Sequence, residues 1–308
     1  MLVTDQQGNY HARLRENEIF FAVFEPDGCI LSESNQTQKI SYSHLRQISA
    51  EAISGQLEQT RPSPHRERIT ALLSDLGIQQ GSCVDIGAYD GLNYSNTHFL
   101  FEQGWQGLML ECGPHRFALL ASHYRALPAA QLSRAKVTPE NIVPLLNAHQ
   151  IPAEFDLLSL DIDSYDYFVL AALLKHYRPT VILTEINEVI PPPVKFAVQY
   201  DPAFELQIQT RFYGQSLAML AELCQQHGYT MIDMYYMDVV LLDNRYLEGE
   251  ARDLATLYRE GLLDRPRPAY YRDYPFDVEA LLQADPQTAC QLIQAGFAPF
   301  KGRFICEV

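Results

Sequence analysis

The sequence contains no long apolar segment. None of its apolar runs approaches the roughly 18 to 20 residues that a helix needs to cross a bilayer. The first residues, MLVTDQQGNYHARLREN, also lack the apolar stretch of a signal peptide. These absences predict a soluble, cytoplasmic protein that has no membrane partner.

Closely spaced cysteines are also missing. The 308 residues include six cysteines, none of which forms a Cys-x-x-Cys pair: Cys29, Cys83, Cys112, Cys224, Cys290 and Cys306. Most of them lie inside apolar segments. We therefore expect buried free thiols rather than a zinc site or a disulfide framework.

Basic residues are few. Lys and Arg total 23 against 38 Asp and Glu, which gives a formal net charge of −15. Such a chain repels phosphate backbones, so nucleic acid is disfavoured as a partner. The sequence also has no nucleophile elbow and no Ser-His-Asp order, so a hydrolase has no support.

The pattern of apolar residues divides the chain into three regions. Residues 1–80 contain a predicted hairpin around Pro26-Asp27-Gly28 and two predicted helices, one from Tyr42 to Leu57 and one from Ser63 to Leu76. The apolar hairpin could pair with another copy of the chain and give a homodimer. Residues 81–245 alternate apolar strands with helices, which is typical of an α/β fold with a parallel sheet. Residues 246–308 are predicted to be mostly helical.

The central region carries the predicted sheet. Its strands are Cys83 to Gly87, Gly107 to Glu111, Phe155 to Asp161 and Thr180 to Ile186, followed by an antiparallel pair, Tyr229 to Met234 and Asp238 to Asp243. Helices are expected around residues 94–103, 114–126, 139–148, 165–177 and 214–227. This alternation predicts helices on both faces of a doubly wound sheet.

A glycine-containing turn follows the first of these strands, in the run from Asp85 to Gly91. Glycine allows the backbone to turn sharply against a ligand, and the helix that follows offers free N–H groups. Glu111 ends the next strand, 20 residues beyond Gly91. An acid at that place can accept hydrogen bonds from both ribose hydroxyls. The pair indicates a cofactor of the adenosine type.

The turn does not have the three glycines of the dinucleotide fingerprint. Ala88 occupies the position of the second glycine, and Asp90 places a carboxylate where the phosphates of NAD would lie. A cofactor that has an amino group and no phosphates, S-adenosylmethionine (SAM), suits the turn better. An NAD-dependent enzyme stays as an alternative.

The segment DIGAYDGLNYSNTHFLFEQGWQGLMLECGP resembles the cofactor half of class I SAM-dependent methyltransferases, in particular an FkbM-like bacterial branch. DLLSLDIDSYDY, PTVILTEIN and FYGQSLAMLAELCQQHGY follow in the same order. The resemblance spans about residues 82–245 and implies a Rossmann-like sheet of seven strands. It also implies contacts of the cofactor with Asp85, Gly87, Ala88, Asp90, Gly91, Asn96, Glu111, Cys112 and Asp161. In this set Glu111 would hold the ribose and Cys112 would flank the adenine.

A second group of polar residues ends two neighbouring strands. Asp161 and Asp163 follow one strand, and Glu185 and Asn187 follow the next with the same i, i+2 spacing. The carboxyl ends of parallel strands meet at one sheet edge, so we expect these four residues to form the catalytic group. Three carboxylates in one cleft repel one another unless a proton or a cation lies between them.

This group is similar to that of metal-dependent O-methyltransferases, in which acids after the fourth and fifth strands bind a divalent cation. The resemblance implies that Asp161, Glu185 and Asn187 bind Mg²⁺. A metal-free alternative also stands. In it Asp161 orients the cofactor, Asp163 caps a helix, and the other two residues bond to loops or substrate.

The sequence therefore predicts a SAM-dependent enzyme that methylates a hydroxyl of a small polar molecule, such as a sugar or a natural product. One alternative is an N-methyltransferase that uses the carboxylates as counter-charges for an amine, without a metal. Another is a protein that binds SAM without catalysis.

Overall fold

A computed structural model describes residues 61–203 and 210–308, together with the backbone of five strands within residues 1–60. The chain divides into two units, Met1–Val137 and Thr138–Val308, whereas the sequence pattern placed boundaries near residues 80 and 245. The predicted helix from Tyr42 to Leu57 lies outside the described residues. Among the described helices, none combines the length and the apolar character needed to span a membrane.

The N-terminal strands of the first unit are antiparallel. They are β1 (Leu2–Thr4), β2 (Tyr10–Arg13), β3 (Phe20–Glu25), β4 (Gly28–Glu33) and β5 (Gln36–Ser41). β1 and β2 pair with each other, while β3, β4 and β5 form a meander. The pairing of β3 with β4 confirms the predicted hairpin.

Three parallel strands form the remainder of the first unit's sheet. β6 (Ser82–Ile86), β7 (Gln106–Glu111) and β8 (Ala130–Arg134) are neighbours in that order, and β3 adds to β8 in the antiparallel direction. The helices are α1 (Arg66–Asp75), α2 (His98–Glu102) and α3 (Pro114–Tyr124). β6 and β7 consist largely of buried residues, as expected for parallel strands that are covered on both faces.

The second unit contains both parallel and antiparallel strands. They are β9 (Glu154–Leu160), β10 (Arg178–Glu185), β11 (Lys195–Val198), β12 (Tyr229–Tyr235), β13 (Asp238–Asp243) and β14 (Phe304–Glu307). β9 and β10 are parallel, β13 is antiparallel to β10, and β12 is antiparallel to β13. The pairing of β12 with β13 confirms the predicted antiparallel pair.

Helices complete the second unit. They are α4 (Ile142–Ala148), α5 (Asp166–Leu173), α6 (Leu217–His227), α7 (Leu254–Tyr258), α8 (Val278–Gln283) and α9 (Pro286–Gly296), with a π-helical turn at Arg259–Leu263 and 3₁₀ turns at Asn244–Tyr246, Ala269–Asp273 and Ala298–Phe300. The region after residue 246 is mostly helical, as expected, but it ends in β14. This four-residue strand pairs with β11 and is too short to give a periodic signal.

The strand arrangement defines the fold class. The first unit has three parallel strands in the order β8–β7–β6, and the second has the order β9–β10–β13–β12, in which only β13 is antiparallel to the others. These are the seven strands of the Rossmann-like methyltransferase fold. The predicted α/β fold class is confirmed.

Close strand packing requires a glycine in β7. Gly107 is paired with Cys83 of β6 and has φ +155°. A Cβ at this position would overlap the backbone carbonyl oxygen of Cys83. Because this neighbour is backbone and cannot rotate away, any side chain at residue 107 would push the two strands apart.

We expect Gly107→Ala to lower the free energy of unfolding by about 3 kcal/mol, because the added methyl group overpacks the pairing of β6 with β7. Gly77→Ala is the matched control. Gly77 also has positive φ, but its Cβ would meet nothing within 4 Å, so a cost of only about 1 kcal/mol is expected. Urea unfolding of both variants measures the difference, and equal midpoints would contradict the argument.

Candidate functional site

The glycine turn after β6 is bonded to the neighbouring strand. Gly87 has φ +88°, and the N–H groups of Gly87 and Ala88 both donate to the carbonyl oxygen of Leu110 in β7, at 2.9 and 3.0 Å. The turn therefore passes over the carboxyl end of β7. This is the position in which a doubly wound fold binds its ligand.

Asp85 and Asn96 anchor the segment after the turn. The buried carboxylate of Asp85 accepts a hydrogen bond of 2.6 Å from the hydroxyl of Thr97, which precedes α2. Asn96 accepts a hydrogen bond from the hydroxyl of Ser63. Both predicted cofactor residues thus fix the backbone between β6 and α2.

Asp90 shapes the turn from inside. One carboxylate oxygen accepts from the N–H groups of Leu92 and Asn93, and the other accepts from the side-chain amide of Asn93 at 2.7 Å. Gly91 follows with φ +73°, and a Cβ there would overlap the side chains of Leu120 and Tyr124 in α3. These contacts give Asp90 and Gly91 a conformational role in the turn.

Glu111 connects the turn to the end of β7. Its two carboxylate oxygens accept hydrogen bonds from the N–H of Tyr89 at 3.0 Å and the N–H of Gly113 at 2.6 Å. Burial raises the pKa of Glu111, while these two bonds and the charge of Arg116 oppose the rise. The Cys112 thiol adds a third hydrogen bond to this carboxylate, and the lone pair that is left can accept a ribose hydroxyl. Cys112, the next residue, is exposed.

The second unit brings three predicted carboxylates together. Asp161, Asp163 and Glu185 each place one oxygen so that all three oxygens lie within 4.8 Å of one another. Asp161 and Asp163 follow β9 and Glu185 ends β10, as the spacing predicted. Glu185 is 5% exposed, and its Oε2 has no hydrogen-bond partner among the described residues. A buried acceptor in this state requires a proton, a cation or a ligand donor.

Desolvation and mutual repulsion dominate the electrostatics of this carboxylate cluster. Desolvation of the Asp161 carboxyl group and the charges of Asp163, Asp166 and Asp238 raise its pKa well above the usual range, while a hydrogen bond with the carboxyl group of Glu185 opposes the rise. Desolvation and the charge of Asp161 raise the pKa of Glu185 in the same way. Binding of a proton or a cation would therefore stabilise this cluster.

Asn187 does not join the cluster. Its amide nitrogen donates to the carbonyl oxygens of Arg211 and Tyr213, both at 3.1 Å, and its Oδ1 accepts from the hydroxyl of Tyr274 at 3.2 Å. The side chain is completely buried and engaged on every polar atom. Asp163 therefore replaces Asn187 in the candidate metal set.

The turn after β9 depends on Asp166 rather than on Asp163. The carboxylate of Asp166 accepts from the N–H groups of Ile162 and Ser164, at 2.8 and 3.0 Å. These bonds hold Asp163 with φ +53°, in the left-handed region. Asp163 is half-buried and makes no cap of α5, so the helix-capping alternative is not realised.

Glu188 is a buried carboxylate that sequence reasoning missed. Its carboxylate accepts hydrogen bonds from the hydroxyls of Tyr270 at 2.7 Å and Tyr213 at 3.3 Å, and its backbone carbonyl accepts from Tyr258 at 2.8 Å. Burial raises the pKa of Glu188, and the tyrosine hydroxyls oppose the rise. An acid in the segment EINEVI, just before Pro191, is the only signal in the sequence.

A chain of hydrogen bonds connects Glu188 with the backbone of Glu185. Tyr213 and Tyr274 lie 3.3 Å apart at their hydroxyls, and Tyr274 donates to Asn187. The N–H of Asn187 in turn donates to the carbonyl of Gln215, whose side-chain amide donates to the carbonyl of Glu185 at 2.7 Å. The tyrosines near the C-terminus thus fix the loop that follows Glu185.

Comparison with known proteins yields only distant similarity. No family model matches the chain, and no curated protein matches it. Solved structures with a similar fold include an O-methyltransferase from Bacillus cereus in complex with S-adenosylhomocysteine, at 19% identity and a TM-score of 0.40. The match covers 65% of this chain and 89% of that one.

Two further solved structures show the same level of similarity. One is a 1,6-didemethyltoxoflavin-N1-methyltransferase from Burkholderia thailandensis, at 15% identity, a TM-score of 0.36, and 72% and 97% coverage. The other is a TehB-like SAM-dependent methyltransferase from Corynebacterium glutamicum, at 10% identity, a TM-score of 0.38, and 66% and 100% coverage. At these values the similarity assigns no substrate and no residue role to this chain.

The stability of the protein should depend on pH through Asp166. Burial raises the pKa of Asp166 to about 6, although its backbone hydrogen bonds favour the ionised form. The native state therefore binds this proton more tightly than the unfolded chain does. The stabilisation is present below the unfolded pKa of about 4 and is lost as the pH rises through about 6, which amounts to about 3 kcal/mol.

We expect Asp166→Asn to reduce the fall in unfolding free energy between pH 4 and pH 6, as measured by urea unfolding at several pH values; Asp161 and Glu185, whose pKa values are also raised, account for the fall that is left. Asp243→Asn is a control of the opposite sign. Burial disfavours ionisation of Asp243, but hydrogen bonds with Arg178 and Arg245 lower its pKa, so its contribution is lost as the pH falls. An unchanged pH profile in Asp166→Asn would contradict the assignment.

Proposed function

We propose that this chain transfers the methyl group of SAM to a hydroxyl of a small polar molecule, such as a sugar or a natural product, with a divalent cation at the acceptor site. The observation that carries the proposal is the cluster of Asp161, Asp163 and Glu185, in which a buried oxygen of Glu185 has no hydrogen-bond partner among the described residues. The order of motifs around DIGAYDG and SNT supports placement in the FkbM-like branch of class I methyltransferases.

The first unit would bind the cofactor. The turn from Gly87 to Gly91 turns back towards the end of β7, and Glu111 presents two carboxylate oxygens at that end. Because both oxygens already accept backbone hydrogen bonds, their positions are fixed before the ligand arrives. Such preorganisation lowers the free-energy cost of holding a ribose.

The second unit would hold the acceptor and a cation. Mg²⁺ binds oxygen at 2.0 to 2.1 Å and Ca²⁺ at 2.3 to 2.6 Å, so oxygens on opposite sides of an ion lie roughly 4 to 5 Å apart. The spacing of up to 4.8 Å within the cluster fits this range. A bound cation would neutralise the repelling carboxylates and polarise the acceptor hydroxyl.

Methyl transfer is an in-line displacement. The acceptor oxygen forms a bond to the methyl carbon while the carbon–sulfur bond breaks, which leaves S-adenosylhomocysteine. The hydroxyl proton must leave at the same time, and a carboxylate of the cluster would accept it, since a cation that polarises the hydroxyl would also lower the pKa of that hydroxyl. The cluster would increase the reaction rate further by positioning the acceptor hydroxyl.

Cofactor binding can be measured by isothermal titration with S-adenosylhomocysteine. We expect micromolar binding by the wild type and a loss of about 10- to 100-fold in Glu111→Ala, because hydrogen bonds to a charged group are removed. The matched control is Glu102→Ala in α2, which removes an exposed carboxylate of the same unit and should bind normally. Equal affinity of both variants would overturn the ribose assignment, and absence of binding by the wild type would overturn the methyltransferase proposal.

Metal binding can be measured by titration of EDTA-treated protein with Mn²⁺. We expect one site, weakened at least about tenfold in both Glu185→Gln and Asp163→Asn, while Asp264→Asn on the surface serves as the control. Asp163 is half-buried, so its variant tests the site even if substitution at Glu185 impairs folding. Unchanged Mn²⁺ affinity in both variants would contradict the metal site. Methylation of an amine that persists in EDTA would favour the metal-free N-methyltransferase alternative.

A further inference from the structure

Two cysteines of the second unit lie against each other. Cys290 in α9 and Cys306 in β14 place their Sγ atoms 3.1 Å apart. A disulfide has an S–S bond of about 2.04 Å, so a movement of only about 1 Å would join them. Both are free thiols in this structure.

The surrounding contacts hold the pair in this geometry. The side-chain amide of Gln294 donates to the sulfur of Cys290 at 3.4 Å and to the carbonyl of Cys306 at 3.2 Å. The thiol of Cys306 also faces the carbonyl of Cys290 at 3.8 Å. One side chain thus connects the helix and the strand that carry the two sulfurs.

Both supporting elements are well anchored. Asp285 caps α9 by accepting from the N–H groups of Gln287 and Thr288. β14 pairs with β11, with Cys306 opposite Phe196, and Phe304 packs among the rings of Phe196, Phe212 and Phe297. The approach of the two sulfurs is therefore a property of the packed unit.

We propose that Cys290 and Cys306 can be oxidised to a disulfide bond that cross-links β14 to α9. With a small disulfide such as oxidised glutathione, one cysteine thiolate attacks it, forms a mixed disulfide and releases one glutathione thiol. The second cysteine thiolate then displaces the second glutathione. Two cysteine thiols lose two protons and two electrons in total, and one glutathione disulfide becomes two thiols.

The environment of the pair also sets the rate. Burial and the neighbouring sulfur raise the pKa of Cys306 well above the usual range. Because the thiolate is the nucleophile in thiol–disulfide exchange, the step in which Cys306 attacks should be slow.

The cross-link would stabilise the strand pair next to the acceptor site. The backbone of Phe196 in β11 exchanges hydrogen bonds with Ser216, which caps α6. Gln215, the residue before it, donates to the backbone of Glu185. A bond between Cys290 and Cys306 joins residues 16 positions apart in the chain, and this restriction of the unfolded chain should raise the melting temperature by about 5 °C.

Peptide mapping tests the proposal on the full chain. The protein is incubated with oxidised glutathione, alkylated with iodoacetamide and cut with trypsin. We expect the peptide 273–301, which contains Cys290, to be bonded to the peptide 304–308, which contains Cys306. Cys112 is exposed and should carry only a glutathione adduct. Alkylation of both Cys290 and Cys306 after a day of oxidation would overturn the proposal, as would a bond from either to another cysteine.

Thermal unfolding gives an independent readout. The oxidised wild type should melt about 5 °C higher than the reduced protein and return to the lower value with reductant. Cys306→Ser should show no such response, whereas Cys112→Ser should respond like the wild type. A melting temperature that rises equally in Cys306→Ser would assign the effect to another thiol and contradict the pair.

Discussion

The crowding of carboxylates at the ends of β9 and β10 is the strongest constraint on the second unit. Asp161, Asp163 and Glu185 converge there, and Asp166 and Asp238 add further negative charge. Folding removes water from these groups and brings their charges together. Each raised pKa therefore means that the ionised carboxylate destabilises the native state. A proton or a cation bound between these carboxylates would relieve the repulsion, which is why the functional proposal rests on this cluster.

The residues around the cluster hold it in place against that repulsion. Asp166 binds the backbone of the turn after β9, and Gln215 binds the backbone of Glu185. Hydrogen bonds through Asn187, Tyr274 and Tyr213 continue to Glu188. The helical residues after 246 therefore have a function in the second unit, since their tyrosines satisfy buried polar groups and fix the loop after β10. In the first unit, Glu111 and Asp90 fix the glycine turn in a comparable manner.

Some residues of the candidate site can be recognised from the sequence, whereas the role of others depends on distant partners. Gly87 and Glu111 could be found because glycine with positive φ and an acid at the end of the next strand are determined by local geometry and strand spacing. Glu188 could not, since an acid next to Asn187 in the loop after β10 gives no indication of which distant hydroxyls will reach it. Asn187 shared the i, i+2 spacing of the carboxylates, but its partners at residues 211, 213 and 274 come from other segments of the chain.

The sequence by itself determined the alternation of strands and helices, the N-terminal hairpin and the position of the carboxylates at strand ends, because side-chain periodicity and turn chemistry act over a few neighbouring residues. Only the tertiary structure decided that Asp163 faces Glu185 while Asn187 turns away. It also decided that β14 pairs with β11 and that Cys290 meets Cys306. These contacts join residues that are far apart in the chain, and their free energy depends on packing and desolvation that exist only in the folded protein.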